Sequence, residues 1–185
     1  LQIRNSRWLT STSAGLKACA AVALSGTLMA QAPRVPRFAI DPYWPRPLPT
    51  NWEMGELGAV FVDVKDHVWV ISRPRTLTAD QIGLSLNPPT SECCIPAPPV
   101  IEFDQAGNVV QSWGGSGQGY EWPANEHGIF VDHKGNVWLG GNTAGQDSQI
   151  LKFTHDGKFL LQIGHAKTSK GSRDTENLNR PAQIW

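Results

Sequence analysis

The chain has 185 residues, of which 40% are hydrophobic and 17% are charged, a mixture that can bury a core and excludes wholesale disorder. Lys and Arg together number 16, as do Asp and Glu, so the formal net charge of zero gives no support to a nucleic-acid partner or an anionic membrane surface. The 18 Gly, 14 Pro and 8 Trp residues favour short strands joined by loops and exclude an all-α protein.

The N-terminal segment has the pattern of a secretory signal peptide. Basic residues precede an apolar run at 18–30, and Ala30 and Ala32 are small residues at the two positions that a signal peptidase reads. The apolar run is shorter than the ~20 residues that a membrane-spanning helix needs. We therefore predict cleavage after Ala32, giving an exported periplasmic or extracellular protein with no membrane span after the signal is removed.

Export would place Cys93 and Cys94 in a compartment where disulfides persist. Adjacent cysteines close only a strained ring with each other. The alternatives are that ring, a bond to a partner outside this sequence, and two free thiols. The sequence does not decide among them.

An internal repeat is the most informative feature of the chain. Residues 60–69 (VFVDVKDHVW) align with residues 129–138 (IFVDHKGNVW), and residues 100–109 align with residues 150–159. Each unit has the pattern of four short strands, with Gly, Asn or Asp in the hairpin turns. The predicted strands are 59–62, 67–71, 100–103 and 108–113 in the first unit, and 128–131, 136–139, 149–153 and 158–163 in the second.

The predicted fold class is all-β, because tandem antiparallel units of four strands are typical of β-propeller blades. No helical periodicity runs long enough for a helical repeat. A propeller closes with ~4–8 blades, so we expect this chain to be part of a larger ring. The predicted parts are an extended segment at 33–54, a first blade at 55–119, a second blade at 120–179 and the start of a third at 180–185.

A long loop at 74–99 interrupts the first predicted blade. It exceeds the usual length of a connection within a compact domain, and six prolines stiffen it. A functional lid and a solvated insertion are both compatible with this pattern.

Two motifs carry a resemblance to a known family. The first is Val-Phe-Val-Asp at 60–63 with Arg73 ten residues after the Asp, and the second is His-Gly-Ile-Phe-Val-Asp at 127–132 followed by Lys-Gly-Asn-Val-Trp at 134–138. On these motifs the chain from about residue 55 to 185 resembles the six-bladed NHL-repeat propellers. It is most similar to the lyase domain of peptidylglycine α-amidating enzymes.

The resemblance implies a zinc-dependent active site and a structural calcium. In the family a catalytic zinc is held by three histidines, each at the start of an innermost strand, and His127 matches the first of them. Arg73 matches the active-site arginine, which helps to position the hydroxylated substrate and a catalytic tyrosine. The calcium would lie in the central channel, bound in part by the backbone oxygens of Val60 and Ile129.

His127 and Arg73 are not repeated at the equivalent positions of the other units. Gly58 and Ala182 occupy the position of His127 in the neighbouring units, and Asn142 occupies that of Arg73. Neither residue is therefore a repeated packing choice. The alternatives are a histidine that caps the strand start and a surface arginine that opens a loop.

The other polar and aromatic candidates are predicted to be structural. We expect Asp63 and Asp132, which recur in the repeat, to accept hydrogen bonds in the blade turns. Trp69 and Trp138 are predicted to pack between blades. The remaining histidines are predicted to be solvated residues of turns and strand ends, namely His67, His133, His155 and His165.

Two classes of function follow. In the first, a zinc-dependent lyase cleaves the carbon–nitrogen bond of an α-hydroxylated amide, a small molecule or a peptide, with Arg73 stabilising negative charge. In the second, the propeller is a scaffold that binds a protein or small ligand through its face loops without chemistry. A lactonase-like hydrolase is a narrower alternative, although such enzymes place acidic and Asn ligands where this sequence has His127.

Overall fold

The computed structural model describes residue 35 and residues 37–185, so the predicted signal peptide at 1–32 lies outside the described residues. Residues 41–185 form one compact unit. The unit is all-β, as predicted, with only two short 3-10 turns, Pro74–Thr76 and Gly83–Ser85, besides its strands. Across the described part of the chain, no helix combines the length and apolar character needed to cross a membrane.

Four antiparallel strands form the first sheet. Its order is β2-β3-β5-β6, so each strand lies next to the strand that precedes it in this sheet. A short parallel pair, β1 and β4, lies outside this sheet. The strands are β1 (Trp52–Glu53), β2 (Glu56–Val62), β3 (Val68–Arg73), β4 (Ile95–Pro96), β5 (Val100–Phe103) and β6 (Val109–Trp113).

The second sheet repeats the first. Its order is β7-β8-β9-β10, again antiparallel throughout. The strands are β7 (Glu126–Val131), β8 (Val137–Gly141), β9 (Ile150–Phe153) and β10 (Phe159–Ile163). All eight strands predicted from the repeat are therefore present, with bounds that differ by at most three residues.

A hydrophobic core joins the two sheets. Trp69 of β3 is 0% exposed and lies in this core, together with apolar residues of both sheets. The equivalent Trp138 of β8 is only half-buried, so the predicted packing between blades is present for the first tryptophan alone. The fully or nearly fully buried members of this core are Trp69, Ile71, Val100, Ile129, Val131, Val137, Leu139, Leu151 and Phe153.

The segment before β2 covers the other face of the first sheet. Trp44 packs on Phe103 with ring centroids 5.7 Å apart, and Trp52 and Met54 pack against the same buried cluster. The segment is also tied by the backbone of Arg46, which donates to Gly107 O at 2.9 Å. The residues that we predicted as an extended lead-in therefore shield apolar side chains of the first sheet.

Residues 181–185, which were predicted to start a third blade, form no strand in the structure. A strand needs a neighbouring strand to complete its ladder of hydrogen bonds. The segment nevertheless runs close to β7, because a Cβ added at Gly128 would lie 2.8 Å from Ala182 O.

Asp63 and Asp132, in the first hairpin turn of each sheet, accept hydrogen bonds as predicted. Asp63 Oδ1 accepts from the backbone N–H groups of Lys65 and His67, at 2.8 and 3.0 Å, and its Oδ2 accepts from Trp69 Nε1 at 3.1 Å. Asp132 makes the equivalent contacts in the second sheet, including one from Trp138 Nε1 at 3.1 Å. Each carboxylate therefore closes its turn and orients a tryptophan.

These contacts predict a loss of stability in acid. Burial alone would raise the pKa of Asp132, but the hydrogen bonds from Asn136, Trp138 and Lys134 hold that pKa well below the usual range of an aspartate. A carboxyl group with a lowered pKa stabilises the fold above its unfolded pKa, and the contribution is lost as the pH falls. We expect the free energy of unfolding from urea titrations to fall as the pH drops below about 4.

Asp132→Asn should show less of this loss than the unchanged protein, because the substituted side chain does not titrate. An identical pH dependence in the two proteins would contradict the assignment.

Candidate functional site

The edge strands β2 and β7 of the two sheets lie side by side and line a cleft of about 400 Å³. Residues 58–61, 127–129 and 182–185 form its walls. Three predicted site residues, His127, Val60 and Ile129, are therefore brought together along one cleft.

A close approach of the two strands sets the start of this cleft. A Cβ added at Gly58 would lie 2.5 Å from Glu126 O and 3.3 Å from His127 Cα, distances that leave no room for a side chain. Gly58 holds the position in β2 that His127 holds in β7. The position therefore carries a glycine that permits the close approach in one sheet and a histidine in the other.

His127 is half-buried and has one ring nitrogen fixed. Its Nδ1 lies 3.0 Å from Ala182 O, and because a carbonyl only accepts, Nδ1 carries the proton. The lone pair is then on Nε2, the nitrogen left for a ligand. The neighbouring Glu126 side chain accepts from Trp122 Nε1 at 2.8 Å and forms no hydrogen bond with the imidazole of His127.

Arg73 ends β3 and reaches across to the second sheet. Its Nε donates to Glu126 O at 2.8 Å, and its Nη1 lies 3.4 Å from Glu56 Oε2. The side chain is only 15% exposed, unlike a surface arginine at the start of a loop. Arg73 therefore holds the backbone of the residue that immediately precedes His127.

A second arginine at this end was not singled out from the sequence. Arg75 Nε lies 3.8 Å from Glu126 Oε2, and Arg75 Nη2 donates to Asn125 Oδ1. Glu126 has a side chain only 6% exposed, and its Oε2 has no hydrogen-bond partner. An ion pair and a hydrogen bond therefore connect the start of the long loop to the segment at the start of the second sheet. The contact of Arg75 with Asn125 and Glu126 could not be predicted because these residues lie far apart in the sequence.

The long loop at 74–99 has structure of its own. Its β4 pairs in parallel with β1, and Ala97 N donates to Glu53 O at 2.9 Å. A disulfide joins Cys93 to Cys94, so the structure selects the ring among the three alternatives.

A second group of polar residues lies at the opposite end of the sheets, near the turns that follow β2 and β9. His67 Nδ1 lies 2.7 Å from Glu102 Oε1, and His155 Nε2 lies 3.3 Å from the same oxygen. The prediction that His67 and His155 are simply solvated is therefore wrong. Glu102 is 0% exposed, and a buried carboxylate needs donors around it.

The other two histidines are solvated, as predicted. His133 is exposed, and His165 is exposed with its Nδ1 3.0 Å from Glu121 Oε2.

No model of a protein family matches the chain, and no curated protein sequence matches it significantly. What the protein does is therefore inferred from its own residues and from the resemblance of its two motifs.

Proposed function

We propose that the two sheets are neighbouring blades of an exported, six-bladed NHL-type β-propeller. We further propose that the propeller is a zinc-dependent lyase acting on an α-hydroxylated amide. The observation that carries the proposal is the contact between His127 Nδ1 and Ala182 O, which leaves Nε2 as the metal-binding nitrogen. Metal-binding histidines commonly donate their other N–H to a carbonyl or carboxylate in this way.

The packing of the inner strands supports the blade interpretation. Phe61 of β2 and Phe130 of β7 meet edge to face with centroids 5.3 Å apart. Gly128 approaches the backbone of Ala182 much as Gly58 approaches that of Glu126. A glycine therefore approaches the backbone of the next unit twice, as would be expected of successive blades around a ring.

The donor chemistry of the cleft fits zinc and calcium. Neutral imidazole is a common zinc ligand, and a catalytic zinc takes about three protein ligands and keeps one position open. His127 is the only imidazole among the described residues of the cleft wall, so we propose that the other ligands come from further blades. Backbone carbonyl oxygens suit calcium, and Val60 and Ile129 are the residues whose oxygens would contribute.

When bound, zinc would act as a Lewis acid toward the substrate hydroxyl. In the proposed reaction the hydroxyl loses its proton, the carbon–nitrogen bond breaks, and the amide nitrogen leaves with the electron pair and takes up a proton. An amide and an α-oxo acid result, and the atoms balance without water or an oxidant. Arg73, held by Glu126 O and facing Glu56, supplies a fixed positive charge that stabilises the developing oxyanion.

The proposal is tested on the intact protein with an N-acyl-α-hydroxyglycine. We expect bound zinc, release of glyoxylate and the primary amide in equal amounts, and loss of turnover on chelation. Absence of both bound transition metal and turnover would leave the alternative, a scaffold that binds a protein or small ligand through its face loops.

A further inference from the structure

A second cleft, here called the turn-end cleft, lies between the turns that follow β2 and β7. Its volume is about 480 Å³, and it is lined by residues 61–65 of the first sheet and by residues 131–135 and His155 of the second. Along β7, His127 lies about 13 Å from Val131, so the turn-end cleft is at the opposite end of the strand. Its volume is in the range that small ligands occupy. The proposed lyase reaction does not use it.

Several apolar side chains line the turn-end cleft. Phe61 packs edge to face on Phe130 with centroids 5.3 Å apart, so its ring is held in place. Val131 is buried, whereas Val62 and Val64 are 54% and 93% exposed. Covering exposed apolar surface is favourable, because it removes that surface from water. The lining therefore suits a ligand with an apolar body.

Each of the two turns also contributes a lysine to the turn-end cleft. Lys65 and Lys134 hold equivalent positions in the repeat, and both are exposed. Neither forms an ion pair with any residue that the structure describes, unlike Lys152, whose Nζ lies 3.4 Å from Asp132 Oδ2. The positive charges of Lys65 and Lys134 are therefore available to a ligand.

The carboxylates that line the turn-end cleft are already engaged. Both oxygens of Asp63 accept hydrogen bonds, from backbone N–H groups of its turn and from Trp69 Nε1. Asp132 does the same in the second sheet and also pairs with Lys152. A ligand anion in the cleft therefore meets two carboxylates whose negative charge is compensated by donors of the protein itself.

The two histidines of the turn-end cleft differ in their freedom. His155 Nδ1 lies 2.8 Å from Gln111 Nε2, which only donates, so the ring proton is on Nε2 and faces the buried Glu102 at 3.3 Å. His133 is exposed. His155 therefore forms part of the wall, and the imidazole of His133 is the one that a bound ligand can reach.

We propose that the turn-end cleft binds a small monocarboxylate that carries an apolar chain or ring. The apolar part covers Phe61, Val62 and Val131, and the carboxylate lies between Lys65 and Lys134. Lysine is a compact charge on a flexible stem, so the two ammonium groups can approach one carboxylate from the two sheets. The turn-end cleft shares only Phe61 with the cleft of His127, and the proposal does not depend on the lyase activity.

The ligand class is tested by calorimetric titration of octanoate into the intact protein. Acetate and octanol are the comparison ligands, since the first lacks the apolar chain and the second lacks the charge. Each buried methylene strengthens binding by about fourfold, so burial of three makes octanoate bind more than about 50-fold tighter than acetate. We also expect octanoate to bind more tightly than octanol, and added salt to weaken the binding of octanoate alone.

The site is tested with Lys65→Gln, Lys134→Gln and the double variant. We expect each single change to weaken octanoate binding by about 2–5-fold, as for a partly exposed ion pair, and both changes together by about 10-fold. Lys158→Gln is the matched control, because it makes the same change of charge at a 78% exposed side chain outside the cleft, and it should have no effect. His127→Ala should also leave octanoate binding unchanged, which separates this site from the lyase cleft.

Histidine side-chain NMR gives a second readout on the unchanged protein. Octanoate must shift the imidazole resonances of His133 and leave those of the exposed His165 in place. The proposal is overturned if octanoate does not bind, if acetate or octanol binds as tightly, or if His133 does not respond. It is equally overturned if the double lysine variant binds octanoate unchanged, or if Lys158→Gln weakens binding as much as the double variant does.

Discussion

His127→Ala in the intact protein is expected to abolish lyase turnover and to release the zinc of the cleft, while leaving the fold intact. The imidazole is one of about three ligands to the proposed ion, so its loss removes a direct bond to the metal. Arg73→Ala should instead keep that zinc and lower turnover by about 10²–10³-fold, the usual effect of removing one preorganised donor to a transition-state charge. Metal content and glyoxylate release are measured on the same samples.

Exposed residues of the same types serve as controls. His165→Ala removes an exposed histidine and Arg173→Ala an exposed arginine, and neither change should affect metal content or turnover. Full zinc occupancy of the cleft in His127→Ala would refute the lyase proposal.

Trp69→Ala should cost the largest amount of stability. The side chain is 0% exposed in the core between the sheets, and its Nε1 donates to Asp63 Oδ2. Replacing a buried Trp by Ala typically costs 3–5 kcal/mol, from lost burial and from the cavity left behind, and we expect about this loss in the free energy of unfolding. Urea titration monitored by circular dichroism measures it.

Trp138→Ala is the matched comparison. Trp138 makes the same contact to Asp132 but is half-buried, with Lys152 Nζ 4.4 Å from its ring centroid. In the 185-residue chain we expect its replacement to cost clearly less than that of Trp69. Equal losses in the two variants would show that the core between the sheets does not depend on Trp69 in the way described.

The strands could be predicted because their signals are local. Alternating apolar residues, a turn Asp and a Gly recur twice, so each sheet is specified within its own 40–60 residues. His127 and Arg73 could be singled out because each breaks the repeat, where Gly58 and Asn142 hold the equivalent positions. The structure joins them through Glu126 O, a backbone atom that carries no side-chain signal.

The features that could not be predicted depend on contacts between residues far apart in the sequence. Each of these contacts occurs only once among the described residues. His155 meets Glu102 across 53 positions of sequence, and the lead-in residue Trp44 meets Phe103 across the first sheet. Neither pair has a counterpart in the repeat. No pattern in the sequence announces these contacts. Glu102, for example, is buried by the packing of the sheets and not by its neighbours in sequence.

Three of the hydrogen bonds that cross between the two sheets share one arrangement of donor and acceptor. Arg73, Gln111 and Trp113 of the first sheet donate from side chains, whereas Glu126 and His155 of the second accept through backbone carbonyls. Any residue presents the same carbonyl. These three hydrogen bonds would therefore survive a change of side chain at 126 or 155, whereas each is lost when its donor side chain at 73, 111 or 113 is removed.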